Sequence, residues 1–252
     1  MPTVSGACWF VLLFARMSVA ESAIYLETRL ETRASTGARW GSVGLLFGSF
    51  KRVRTLVCAL MVGVPIWYVA GILSYFAPEF AREFKVQGEV TAGTTIMMGY
   101  FGSIIGDLLC GFSSQGLRSR KRAILAFVVA GGCIALFHPL LSDGIEARSF
   151  YWMRLAIGIG NGYSAILVAW TAEMFGTNLR TTAASAVANL MRASVIPISF
   201  LFQMLSPHWG LVRSSSIIGG ACFAFALIGI AMLPDTFDQD LRFLEDSSGQ
   251  ES

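Results

Sequence analysis

Residues 55–76 read TLVCALMVGVPIWYVAGILSYF, without a single charge. A bilayer core of about 30 Å takes about 20 apolar residues of helix to cross, so this stretch is long enough to span. Five more follow, at residues 90–112, 123–142, 151–172, 182–205 and 214–233. A water-soluble chain of this length has no use for six such runs. The expected fold is all-α: a polytopic membrane protein, a six-transmembrane-helix bundle with a short extra apolar helix before it.

Composition points the same way. The 252-residue chain is 54% hydrophobic with a mean hydropathy of +0.61, and only 14% of it is charged. Soluble domains sit near 25% charged. The partner this implies is a lipid bilayer, and a net charge of +3 gives no reason to expect nucleic acid. Four segments are expected: a transmembrane remnant at 1–20, a cytoplasmic linker at 21–54, the bundle at 55–233 and a cytoplasmic tail at 234–252. Cys8, Cys58, Cys110, Cys133 and Cys222 all fall in apolar stretches. None has metal-ligand spacing, and buried thiols act as small hydrophobes, so all five read as packing.

Orientation follows from the basic residues, because short loops rich in Lys and Arg stay in the cytoplasm. Lys51, Arg52 and Arg54 precede the first span. Arg118, Arg120, Lys121 and Arg122 join the second to the third, and Arg180 joins the fourth to the fifth. The alternate loops are poorer in basic residues. Both ends of the body therefore face the cytoplasm of a cell or plasma membrane. Before it, residues 7–15 are apolar and Arg16 interrupts the run. That segment reads either as a surface-lying amphipathic piece or as the end of a seventh helix, and the second reading is preferred.

Small residues spaced by four let helix backbones approach closely in lipid. Gly102 and Gly106 have that spacing in the second span, and Gly158 and Gly162 in the fourth, with Gly160 between. The latter cluster lies inside an apolar run, so it is not a dinucleotide loop. Pro65 and Pro197 fall inside spans, where proline kinks a helix and frees carbonyls.

Charges at membrane depth are expensive and usually functional. Arg192 lies near the middle of the fifth span, with Asn189 three residues earlier on the same face. A guanidinium grips a carboxylate or phosphate with two bonds, so Arg192 and Asn189 are candidate solute ligands. Asn161, Trp67, Tyr68 and Tyr100 are candidates to share that cavity. A buried amide needs partners, while a lone aromatic is as readily a packing group or interfacial anchor. Asp107 lies toward the cytoplasmic end of the second span.

The cytoplasmic motifs carry a family resemblance. Gly102-Ser-Ile-Ile-Gly106-Asp107 through Arg118-Ser-Arg120-Lys121-Arg122 resembles the loop signature that joins the second and third helices of each half of the major facilitator superfamily (MFS). Gln115 stands where that family has an acidic residue. Glu173-Met-Phe-Gly-Thr-Asn-Leu-Arg180 is similar to the Glu-x6-Arg element of sugar-porter-like and organic-ion members. Pro234-Asp235-Thr236 is similar to the Pro-Glu-Thr after the twelfth helix, and Glu21-Ser22 to the Pro-Glu-Ser after the sixth. The resemblance implies the end of helix six, the central linker and helices seven to twelve, which is the C-terminal half of a secondary transporter. It implies a second six-helix half as partner, either a self-copy or an N-terminal half. It also implies a cytoplasmic gate or charge network of Glu173, Arg180, Arg118, Arg120, Asp107 and Asp235, whose pairs close that side while the cavity opens outward.

The expected function is transmembrane movement of a small polar solute (an anion, sugar or organic ion) by alternating access, as a symporter if Asp107 or Glu173 takes a proton. The alternative is a truncated or partner-binding membrane subunit that does not transport. An enzyme is not expected, since His138 and His208 lie near helix ends with no nucleophile or paired carboxylates at a recognisable spacing. No cofactor and no metal are expected.

Overall fold

The computed structural model describes residues 43–237. Residues 1–20, most of the linker, Cys8, the Glu21-Ser22 motif and the tail beyond residue 237 lie outside the described residues. Every element among the described residues is helical. After a short α1 (Val43–Phe47), α2 (Phe50–Tyr68) runs without a break into a π-helical turn (Val69–Ser74). A seven-residue α3 (Ala77–Glu83) leads to α4 (Ala92–Gly116) and α5 (Arg120–Leu141). Two interrupted spans follow: α6 (Ala147–Gly160) with α7 (Ser164–Glu173), and α8 (Arg180–Ala193) with α9 (Val195–Trp209). The last helix is α10 (Leu211–Met232). Six helical runs of 22 to 30 residues are long and apolar enough to cross a membrane, which bears out the all-α bundle.

The first run starts at Phe50 rather than residue 55, so Lys51, Arg52 and Arg54 lie in its opening turns. Pro65 removes one backbone donor from α2, and the helix widens into the π turn four residues after it. Pro197 does not kink the fifth run. The interruption falls earlier, at Ser194, whose hydroxyl donates to the Met191 carbonyl at 2.6 Å. Pro197 then occupies the first turn of α9, where its missing N–H costs nothing.

The closest backbone contact joins α4 to α6. A methyl group on Gly102 would strike the Leu155 carbonyl, and one on Gly106 would strike that of Ile159. In return, Gly158 sits against the Gly99 carbonyl and Gly162 against Ser103 and Gly106. The two glycine pairs read from the sequence therefore pack against each other. Gly160 faces away from them and meets Gly131 of α5. On the other side of the bundle α2 packs along α10, where Gly229 meets the Cys58 carbonyl.

The faces differ as the environment requires. Trp170, Tyr163, Tyr68, Phe80, Phe150 and Phe202 are fully buried. Phe101, Ile104, Leu108 and Phe112 of α4 recur at helical spacing and are all more than half exposed. In water such a stripe would be a liability; against lipid it is ordinary surface. Cys133 lies on that outer surface and is not a packing residue, unlike buried Cys58, Cys110 and Cys222.

The glycine contact yields a test. Gly106→Ala places a methyl against backbone that cannot move aside, and overpacking of this kind costs about 1–3 kcal/mol or more. Gly220 of α10 has open space around it; there alanine is expected to be neutral or to stabilise by about 0.5–1 kcal/mol. Thermal unfolding of both variants in detergent should show a large fall for the first and none for the second.

Candidate functional site

A pocket of about 570 Å³ opens between α2 with its π turn, α4, the α6–α7 junction and the α8–α9 junction. Trp67, Tyr100, Asn161 and Arg192, four of the candidate solute ligands, line it, and Asp107 joins them. Tyr68 does not. One residue on from Trp67, it is turned about 100° around the helix. Its hydroxyl is buried against α10, 3.0 Å from the Ser215 carbonyl and 2.9 Å from the Ser215 hydroxyl. Asn189 is not among the lining residues either; its amide donates to the Ser185 carbonyl of its own helix at 2.9 Å.

The two charges in the pocket both sit at ends of interrupted helices. Arg192 is in the last turn of α8, where the helix dipole favours a cation. Its guanidinium carbon lies 5.5 Å from the centre of the Trp67 ring, within cation–π range. Asp107 projects from α4 to the start of α7. One carboxylate oxygen accepts from the Ala165 N–H at 3.0 Å, the other from the Ser164 hydroxyl at 3.1 Å. A helix N-terminus is where a carboxylate is stabilised. Asp107 therefore belongs to the pocket and not to the charge cluster in which it was expected.

The break that creates the α7 N-terminus also braces α2 around Pro65. The Asn161 amide donates to the Ile66 carbonyl at 3.3 Å, and the Tyr163 hydroxyl donates to the Val62 carbonyl at 3.0 Å. Both acceptors flank Pro65. Two polar atoms of pocket-lining residues, the Trp67 indole nitrogen and the Asn161 amide oxygen, are buried without a hydrogen-bond partner. Buried polar groups are rarely left so in a working site.

The remaining charged candidates gather at the basic face. Arg120 pairs with Glu173 at 3.1 Å and donates to the Ser114 hydroxyl at 3.0 Å. The backbone N–H of Arg120 donates to Asp235 at 3.2 Å, and the Ser119 hydroxyl donates to the same carboxylate. Thr236 donates to Glu173 at 2.6 Å. Arg180 sits beside this group and donates to the Ala172 carbonyl at 3.1 Å. Arg118 stands apart on an exposed turn, with a left-handed φ of 45°. Ser114, Ser119 and Thr236 were not anticipated as parts of the cluster, although all three lie inside the quoted motifs. These contacts join the α4–α5 turn, the end of α7 and the segment after α10 within one bundle. As arranged, they hold this bundle's own helices together.

A second polar group lies deeper and on none of the expected sites. Arg154 of α6 is 2% exposed and bonds to His138 of α5 at 3.2 Å. The signal in the sequence is a charge near the start of the apolar run of residues 151–172.

No protein-family model matches the chain. A curated relative from Cupriavidus pinatubonensis (strain JMP 134 / LMG 1197), described as a probable 4-methylmuconolactone transporter, is 26% identical over 239 residues. The alignment covers 90% of this chain and 51% of the relative, so the chain spans about half the length of the protein it matches. Six helices long and apolar enough to cross a membrane accompany that similarity.

The basic face makes a pH-dependent contribution. Partial burial opposes ionisation of Asp235, but hydrogen bonds from the Ser119 hydroxyl and from the backbone of Phe237, Lys121 and Arg120 outweigh it and hold the carboxyl below its usual range. A folded pKa below the unfolded one stabilises above the ordinary carboxylate pKa, and the gain is lost as pH falls through the folded value. Asp235→Asn should therefore cost about 1 kcal/mol at pH 7, allowing for partial exposure. Its thermal midpoint should begin to approach that of the wild type only as pH falls below about 4, and meet it below the folded value.

Proposed function

We propose that this chain is one six-helix half of a secondary transporter of the MFS type, and that its pocket forms one wall of the cavity for a small organic anion. The observation that carries this reading is Arg192 over Trp67, a guanidinium held at the end of an interrupted helix inside a pocket. Half-helix ends that present charge at mid-depth are a recurrent way for transporters to build a solute site. The guanidinium takes the solute carboxylate through paired hydrogen bonds. Trp67 offers its ring face and an unfilled indole N–H donor.

The solute class fits the relative's name. A muconolactone is a compact lactone ring bearing one carboxylate, which matches one cation beside aromatic groups. Of the two carboxylates considered for proton uptake, Asp107 is the one that faces the pocket. Glu173 is engaged by Arg120 and Thr236. The basic face is the cytoplasmic one by the distribution of Lys and Arg, in a cell or plasma membrane. The second half comes from another copy or a separate partner. The Arg120–Glu173–Asp235 cluster keeps this half rigid while the halves rock about the site.

The test is solute binding to the detergent-purified chain, followed by quenching of tryptophan fluorescence on titration with 4-methylmuconolactone. Loss of a charge-assisted bidentate contact costs about 1.5–3 kcal/mol, so Arg192→Ala should weaken binding by about 10- to 150-fold. Arg192→Lys should fall between it and the wild type. Membrane insertion and helical content should be unchanged in both. Wild-type affinity in Arg192→Ala would remove Arg192 from the site, and absence of binding by every variant with the second half present would remove this solute.

A further inference from the structure

Arg154 sits seven residues into α6 with its guanidinium enclosed by protein. Its carbon lies 4.6 Å from the centre of the Phe150 ring. One terminal nitrogen reaches His138 Nε2 at 3.2 Å. The other two nitrogens, Nε and Nη1, are buried without any hydrogen-bond partner. No carboxylate among the described residues lies within ion-pair distance of it.

His138 gives no charge relief. Its Nδ1 lies 3.2 Å from the Ala135 carbonyl, which can only accept, so Nδ1 carries the proton. Nε2 is then the lone pair that receives the Arg154 N–H. The ring is neutral in this arrangement and is wedged against Phe80 and Phe84 of the α3 region, with centroids at 6.2 and 5.5 Å. These contacts orient the imidazole and leave no room for it to turn away.

Arginine does not lose its proton in proteins. An isolated buried cation in an apolar bundle is among the most costly arrangements a membrane protein can hold. Water would fill the orphaned donors but leave the charge. The solute pocket does not supply the counter-charge, because Arg154 is not among its lining residues. The environment asks for a small monovalent anion that needs no donors from the protein beyond N–H groups.

We propose that Arg154, oriented by His138 and the Phe150 face, binds one small inorganic monoanion of the chloride class within the bundle, separate from the solute pocket. The site compensates the buried charge and ties α5 to α6, so its occupancy stabilises the folded bundle.

Equilibrium dialysis of the purified chain with radioactive chloride, at ionic strength fixed by gluconate, tests this directly. About one chloride per chain is expected, displaceable by bromide. At chloride roughly a hundredfold above its dissociation constant, the unfolding midpoint should rise by about 5–10 °C over gluconate. Arg154→Gln should abolish both effects, and Arg192→Ala should keep both. If Arg154→Gln does not fold, Arg154→Lys retains the charge with poorer donor geometry and should weaken chloride binding about tenfold. No chloride bound by the wild type, an equal midpoint in chloride and gluconate, or unchanged binding in either Arg154 variant would overturn the proposal. So would loss of binding in Arg192→Ala, which would place the anion in the solute pocket instead.

Discussion

The bare-backbone contact between α4 and α6 is the constraint on which the rest of the bundle depends. In lipid there is no hydrophobic drive to press helices together, so association rests on close packing. Gly102 and Gly106 on one side and Gly158 and Gly162 on the other bring the two main chains into touch. That proximity sets the distance from α4 to the α6–α7 junction. At that distance the Asp107 side chain, projecting from α4, reaches the Ala165 N–H in the first turn of α7.

The interruptions in the fourth and fifth runs then do electrostatic service. A continuous helix buries its dipole ends at the two membrane surfaces. A broken one places an end at depth, where it is worth more because the surroundings screen it poorly. The α6–α7 break offers a positive end to Asp107, while Arg192, two residues before the break at Ser194, lies over the Trp67 ring. Two opposite charges thus line one pocket. The same α6–α7 break braces α2 around Pro65 through Asn161 and Tyr163, which couples the pocket wall to the glycine contact behind it.

The basic face works by a different rule. Its charges lie at helix ends, and their partners are hydroxyls and backbone groups as often as opposite charges. Arg120 alone engages Glu173 through its side chain and Asp235 through its backbone. This makes a short, rigid knot at one end of the bundle, while the other end is clasped by backbone bonds between the loop after α3 and the loop before α6, as in Gln87 to Ile145 at 2.8 Å.

Periodicity and composition by themselves determined the helical class, the six runs and the pairing potential of the glycines, because length against bilayer thickness and small-residue spacing are local properties. The same reading found Arg192, Trp67, Asn161 and Tyr100, since polar groups in apolar runs stand out in one dimension. Only the tertiary structure decided which way each one turns. Tyr68 adjoins Trp67 in sequence yet faces α10, because a helix rotates about 100° per residue. Asp107 moved from an expected surface network into the pocket because a helix end, invisible in an unbroken apolar run, lies opposite it. Arg154 and His138 are sixteen residues apart and meet only through the packing of α5 on α6, and a contact between helices has no period along the chain.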